Sequence, residues 1–221
     1  MIGRFGRVEA FSFHATKFLH TFEGGALVTD DAGLAAKARA MRNFGFVGHE
    51  QTVGVGINAK MHEISAAMGL TGLETFDDVV AWNSRNYQRY QRDLDGLPGV
   101  SVLRLDERER CNFQYVVAEV DAAIAGISRD ELLAVLQAEN VLARRYFYPG
   151  CHRLAPYAGA EPDATWRLPV TEALAERVLV LPTGTAVSPD DVGAICEILR
   201  LAVEQAADLR NYLPLVATTT R

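Results

Sequence analysis

Residues 11–31 read FSFHATKFLHTFEGGALVTDD, and Lys17 at the middle of this stretch is one of three lysines set against nineteen arginines. A lysine amine can shed its proton, attack a carbonyl and form a Schiff base, whereas a guanidinium stays charged and does none of this. Phe11, Phe13, Phe18 and Phe22 flank Lys17 and predict an apolar setting. Ser12 and Thr16 bring hydroxyls suited to a phosphate, and Glu23-Gly24-Gly25 lets a ligand approach the backbone without meeting a Cβ. Two readings stand at this point: a carbonyl-directed amine beside a phosphate site, or a solvated loop lysine. His14, three residues before Lys17, faces a ligand on the first reading and is a packed or hydrogen-bonded histidine on the second.

The surrounding elements follow from pattern. Residues 8–13 and 25–29 read as two short strands with the Lys17 segment looping between them. Asp30 or Asp31 caps a helix that ends near Asn43 and Gly45. Residues 46–60 are glycine-rich and read as an extended loop. Residues 61–94 have a helical period, with Ile64, Ala67, Met68, Leu73, Phe76, Val80 and Tyr87 on an apolar face and a break at Asp77-Asp78. Tyr87 and Tyr90, with Arg85, Arg89 and Arg92, are expected on a helix surface. Residues 100–105, 113–120, 141–148 and 178–182 read as strands. A capping box over residues 128–131 opens a helix, a short helix covers residues 172–177, and Ser188-Pro189 starts a long last one. The acidic run 106–109 reads as a solvated loop, and the tail 216–221 is expected to fray.

Composition excludes several classes. A net charge of −6 argues against broad binding of nucleic acid or anionic membranes. Cys111, Cys151 and Cys196 form no CxxC pair or disulfide framework, which fits a reducing cytoplasm. No apolar run is long enough to span a bilayer. The five histidines lack an HxxxH or HExxH spacing, so no metal site is expected. His62 reads as a structural residue opening a helix. Gly54-Val-Gly56 lacks the third glycine of a dinucleotide fingerprint, and Cys151 beside His152 lacks an orienting group for a thiol nucleophile.

Taken in order, SFHATK, EGGALVTDD, RNFGF, GINAKMHEISAAMGL, YFYPGCHRLAPY, LPVTEALAERVLVLPTG and SPDDVGAICEIL resemble the DegT/StrS-type sugar nucleotide aminotransferases over nearly the whole chain. Within that family the likeness is strongest to enzymes aminating C4 of a dTDP-4-keto-6-deoxyhexose. The resemblance implies an α/β fold, the C-terminal portion of a fold-type I pyridoxal phosphate transferase. That portion comprises the end of the large-domain sheet, a long linking helix and a small α/β domain. Residues 1–75 would then be a remnant of the cofactor domain and residues 76–221 the small domain.

The resemblance also assigns roles. Lys17 matches the lysine that holds pyridoxal 5'-phosphate and carries the proton between the carbons of donor and cofactor. Ser12 matches the serine that binds the cofactor phosphate. Asn58 matches an asparagine reaching that phosphate from the other subunit of a homodimer with shared active sites. His14, Lys60, Tyr148 and His152 match substrate-side positions. The substrates implied are glutamate as amino donor and a keto sugar nucleotide such as dTDP-4-keto-6-deoxyglucose. Dehydratase-like family members carry histidine at the lysine position, so Lys17 favours transamination. The aspartate that pairs with the cofactor's ring nitrogen precedes the SFHATK segment in the family. On that ground the chain is expected to lack roughly the first two-fifths of the family's length and to have little activity alone. The rival expectation is a non-catalytic remnant that dimerises.

Overall fold

The computed structural model describes residues 5–106, 108–155, 157–159 and 168–212. The tail 216–221 and Glu107 of the acidic run lie outside the described residues. The chain forms two units, Met1–Asp78 and Val79–Arg221.

In the first unit, β1 (Glu9–Ser12) pairs antiparallel with β2 (Gly25–Val28), with Ser12 opposite Gly25. Gly25 cannot carry a side chain there, because a Cβ would lie 2.6 Å from the Phe11 carbonyl oxygen. Asp31 caps α1 (Ala32–Arg42) by accepting the Leu34 N–H at 2.9 Å. That bond, followed by the Arg7 guanidinium, holds the Asp31 carboxyl below its ordinary range.

Residues 46–60 are not the featureless loop that the glycine content predicts. A small hairpin forms from β3 (Phe46–Val47) and β4 (Gln51–Thr52), and Asn43 bridges to Asn58. Two glycines permit it: a Cβ on Gly45 would stand 1.9 Å from the Gly54 carbonyl oxygen, and one on Gly56 would stand 2.2 Å from the Gly45 nitrogen.

The expected long helix is two. The break falls at Thr75, between α2 (Glu63–Glu74) and α3 (Phe76–Asp93). Asp77 and Asp78 do not interrupt a helix; they sit in the first turn of α3, where acids favour a helix N-terminus. His62 caps α2, its Nδ1 accepting the Ile64 N–H at 3.3 Å.

The first unit has little interior. Its buried residues, among those described, are Thr21, Ala40 and Gly45. Leu27, Val55, Ile57, Ile64 and Leu73 are exposed, so the apolar face expected of α2 is largely uncovered.

The second unit owns the core. β5 (Val100–Val102), β6 (Val116–Val120) and β7 (Val178–Leu181) form an antiparallel sheet with β6 in the middle. α4 (Ala122–Ala125), α5 (Arg129–Ala138), α6 (Pro169–Ala175), α7 (Pro189–Glu204) and α8 (Ala206–Leu209) complete it. Both α5 and α7 open with capping boxes, Ser128/Glu131 and Ser188/Asp191, as their sequences predict. Val116, Val120, Leu132, Leu136, Leu181, Val192 and Leu199 meet in the interior.

Four expectations are corrected here. Tyr90 is a core residue rather than helix surface, and Tyr87 is buried with it, in keeping with its place on the apolar face. Their hydroxyls reach inward to the Leu103 and Pro182 carbonyls at 2.8 and 2.9 Å. Residues 141–148 are not a strand: Arg144 alone bridges to Val180. The chain then turns, with the Tyr148 N–H donating to the Arg145 carbonyl at 2.8 Å, and Pro149 has no N–H with which to rejoin the sheet. The strand expected over 113–120 starts only at Val116, because Phe113 takes φ 52° and the Asn112 side chain ties the Gln114 N–H in a local turn. Finally, α6 starts at Pro169 and not at Glu172, with proline in the first turn.

Candidate functional site

Lys17 lies in a braced turn between β1 and β2. Its backbone N–H donates to the His14 carbonyl at 2.8 Å. Phe13 closes the loop from both sides, donating to the Gly24 carbonyl and accepting from Thr21, each at 2.9 Å. Lys17 is half-buried. Of the aromatic residues expected around it, Phe22 is exposed and Phe18 stacks edge-on against Phe76 with centroids 4.9 Å apart.

Ser12, His14 and Thr16 come together beside this turn. The His14 N–H donates to Ser12 Oγ at 3.3 Å. The His14 Nδ1 accepts the Thr16 N–H at 3.2 Å and sits 2.9 Å from Thr16 Oγ1. Accepting at Nδ1 leaves the ring proton on Nε2, which faces Glu23 Oε1 at 3.7 Å. The Ser12 hydroxyl, as an acceptor from His14, keeps its own proton for an outside acceptor.

The turn rests on α2 through two glycines three residues apart. A Cβ on Gly69 would meet the Thr21 methyl at 2.8 Å, and one on Gly72 would meet Leu19 Cδ1 at 3.0 Å. Thr21 is buried and its hydroxyl donates to the Glu23 carbonyl at 2.8 Å. Sequence reasoning missed this support; the Gly-x-x-Gly spacing in MGLTGLE is the signal that could have found it.

Asn58 and Lys60 form a separate exposed pair. The Lys60 ammonium donates to Asn58 Oδ1 and lies 4.2 Å from the centroid of the Phe44 ring.

The second unit holds Tyr148 and His152. Arg145 and Arg129 place their guanidinium carbons 4.6 and 5.2 Å from the Tyr148 ring centroid. His152 is the middle residue of a 3-10 turn (Cys151–Arg153), and its Nε2 lies 3.2 Å from Glu172 Oε1. Arg153 joins the same carboxylate, Nη2 to Oε2 at 2.8 Å. The bond from Arg153, then that from His152, holds the Glu172 carboxyl below its ordinary range. Neither Arg129 nor Glu172 stood out in the sequence. One is hidden inside a capping box that reads as surface, and the other lies twenty residues from the histidine it meets. Among the described residues, no cluster of three or more histidine, cysteine or acidic side chains gathers, and no helix is long and apolar enough to cross a membrane.

A mixed α/β chain with a lysine braced on a strand-to-strand turn, hydroxyls beside it and a second unit built on a small sheet defines a class. Residues 1–200 match the DegT/DnrJ/EryC1/StrS aminotransferase family, and the chain belongs to it. A dTDP-4-amino-4,6-dideoxy-D-glucose transaminase from Shigella dysenteriae is 32% identical over 197 residues, covering 89% of this chain and 53% of the relative. A crystal structure of DesI in the presence of its TDP-sugar product is 50% identical, with a TM-score of 0.86 over 95% of this chain and 53% of that one. A DegT DnrJ EryC1 StrS aminotransferase from Brucella abortus is 31% identical, with a TM-score of 0.78 over 90% of this chain and 52% of that one. The chain thus spans about half the length of the relatives it matches.

Proposed function

We propose that this chain carries the lysine-bearing part of a pyridoxal 5'-phosphate-dependent sugar nucleotide aminotransferase. The amino donor is glutamate, and the acceptor is a 4-keto-6-deoxyhexose linked to dTDP. The observation that carries the reading is the Lys17 turn: an amine on an ordered strand connection, with the Ser12 hydroxyl five residues before it and Gly24 and Gly25 packed where a Cβ has no room. The donor set fits the cofactor. Lys17 supplies the amine for its aldehyde, and Ser12 supplies a hydroxyl proton for its phosphate.

When bound, pyridoxal phosphate supplies the electron sink for breaking a Cα–H bond. Lys17 would hold the group through its amine and, once free, would take the proton from the donor carbon as a base and give it back as an acid. His14 orients the approach, being itself fixed through Nδ1 by Thr16 and facing Glu23 through Nε2. Tyr148 and His152 contact the sugar nucleotide. Asn58 and Lys60 act toward a second copy of the chain in a homodimer; their exposure and the uncovered apolar residues Val53, Val55 and Ile57 beside them support this. Residues 1–75 serve as part of the cofactor domain and residues 76–221 as the small domain. The unpaired cysteines support a cytoplasmic setting.

Selectivity among the three lysines tests the reading. The protein is incubated with pyridoxal phosphate, reduced with borohydride and mapped by peptide mass spectrometry. The label is expected on Lys17 and not on Lys37 or Lys60. Equal labelling of all three, or labelling that spares Lys17, refutes it.

A further inference from the structure

We propose that Arg129 is a positioning residue for Tyr148, setting the ring that meets the nucleotide sugar; the substrate half of this statement rests on the function proposed above. Arg129 is the first residue of α5, and its side chain is 1% exposed. A guanidinium so buried needs partners for its charge and its five N–H donors. Nη1 donates to the Ala175 carbonyl at 2.9 Å and to the Val178 carbonyl at 2.7 Å. These are the last residue of α6 and the first of β7. Nε donates to Asp130 Oδ1 at 2.7 Å. Nη2 is buried with no hydrogen-bond partner. The Tyr148 ring, 5.2 Å from the guanidinium carbon, offers its negative π face to this buried cation.

Asp130 links the two guanidiniums on the ring. Its Oδ1 also accepts from Arg145 Nη1 at 3.3 Å, and the Arg145 guanidinium carbon is the one 4.6 Å from the same ring. Tyr148 is thus addressed by two cations that share one carboxylate. Its backbone N–H is spent on the Arg145 carbonyl, while among the described residues its hydroxyl has no hydrogen-bond partner. A ring held by its face with its hydroxyl unspent is a side chain presented to a ligand. Arg129 does the holding because its planar fork reaches two elements and the ring at once. A lysine has one compact ammonium and cannot satisfy both carbonyls and the ring in that geometry.

The test uses the whole chain with ¹³C-labelled tyrosine rings, the Tyr148 signal being assigned through Tyr148→Phe. In Arg129→Lys, the Tyr148 ring signals are expected to shift or broaden. The Tyr90 signals, from a fully buried core ring, are expected to stay. Titration with dTDP is expected to show affinity about two- to tenfold weaker, because a ring no longer held must be ordered on binding. Unmoved Tyr148 signals in a variant with native Tyr90 signals overturn the proposal. Where Arg129→Lys does not fold, Asp130→Asn decides. It spares both carbonyl bonds and removes the carboxylate shared by the guanidiniums, so Tyr148 is expected to move and its failure to move overturns the proposal. A wild-type chain that ignores dTDP, with Tyr148 still displaced in Arg129→Lys, upholds the anchoring and overturns the substrate reading.

Discussion

Gly69→Ala and Gly72→Ala are the same change, three residues apart on one helix, and the structure predicts opposite signs for them. Replacing glycine inside a helix stabilises it by about 1 kcal/mol, because the unfolded chain has less freedom to lose. Against that stands the space each Cβ must enter. At Gly69 the new methyl would lie 2.8 Å from the Thr21 methyl. Thr21 cannot turn away: it is 3% exposed, and its hydroxyl is committed to the Glu23 carbonyl. Overpacking a fixed neighbour costs about 1–3 kcal/mol, so the net is a destabilisation of about 1 kcal/mol. At Gly72 the contact is 3.0 Å to the far end of half-buried Leu19, which swings aside at little cost. There the helix gain survives, at about 0.5 kcal/mol or more. Native-state hydrogen exchange of the Thr21 and Phe13 amides, whose bonds close the Lys17 turn, reads the difference. Exchange is expected to be about fivefold faster in Gly69→Ala and unchanged or slower in Gly72→Ala. Equal acceleration in both variants would show that the Lys17 turn does not lean on α2 through the Thr21–Gly69 contact.

The acid limb of stability tests the Glu172 tie. Its carboxyl sits below the ordinary value of 4.5, so its contribution is complete above that value and is lost as pH falls through the depressed one. Thermal midpoints measured downward from pH 5 are expected to fall less steeply in Glu172→Gln than in the wild type. In the core, Tyr90→Phe strands the Pro182 carbonyl and is expected to lower stability in urea by about 1–2 kcal/mol with no change in slope. Ser128→Ala removes the acceptor for the Glu131 N–H and is expected to lower stability by about 1 kcal/mol, read from the same urea curves.

Local order in this protein is written locally. Asp31, Ser128 and Ser188 announce their helices because a cap needs only a side-chain oxygen and an N–H three residues on. Lys17 stood out by chemistry and scarcity, and the motif order led to the family, since neither depends on packing. Legibility failed where the deciding partner lies far along the chain. Tyr90 stands between Arg89 and Arg92 in what reads as a polar helix face, yet the Pro182 carbonyl draws its hydroxyl inward. Val141 to Tyr148 has the composition of a strand, but one bridge to Val180 and the turn at Tyr148 leave it no ladder to join.

The same division runs through the candidate site. The amine at Lys17, the hydroxyl at Ser12 and the glycines behind them are properties of residue type and spacing, and the chain's order of residues is enough to state them. How those groups are held is not. The glycine pair under Thr21 makes sense once α2 packs on the turn. The carboxylate at His152 comes from a helix twenty residues away. Arg129 becomes a buried cation beneath a tyrosine only because α5, α6 and β7 converge on it. A buried charge must find its partners wherever folding brings them, and no short window of sequence contains that information.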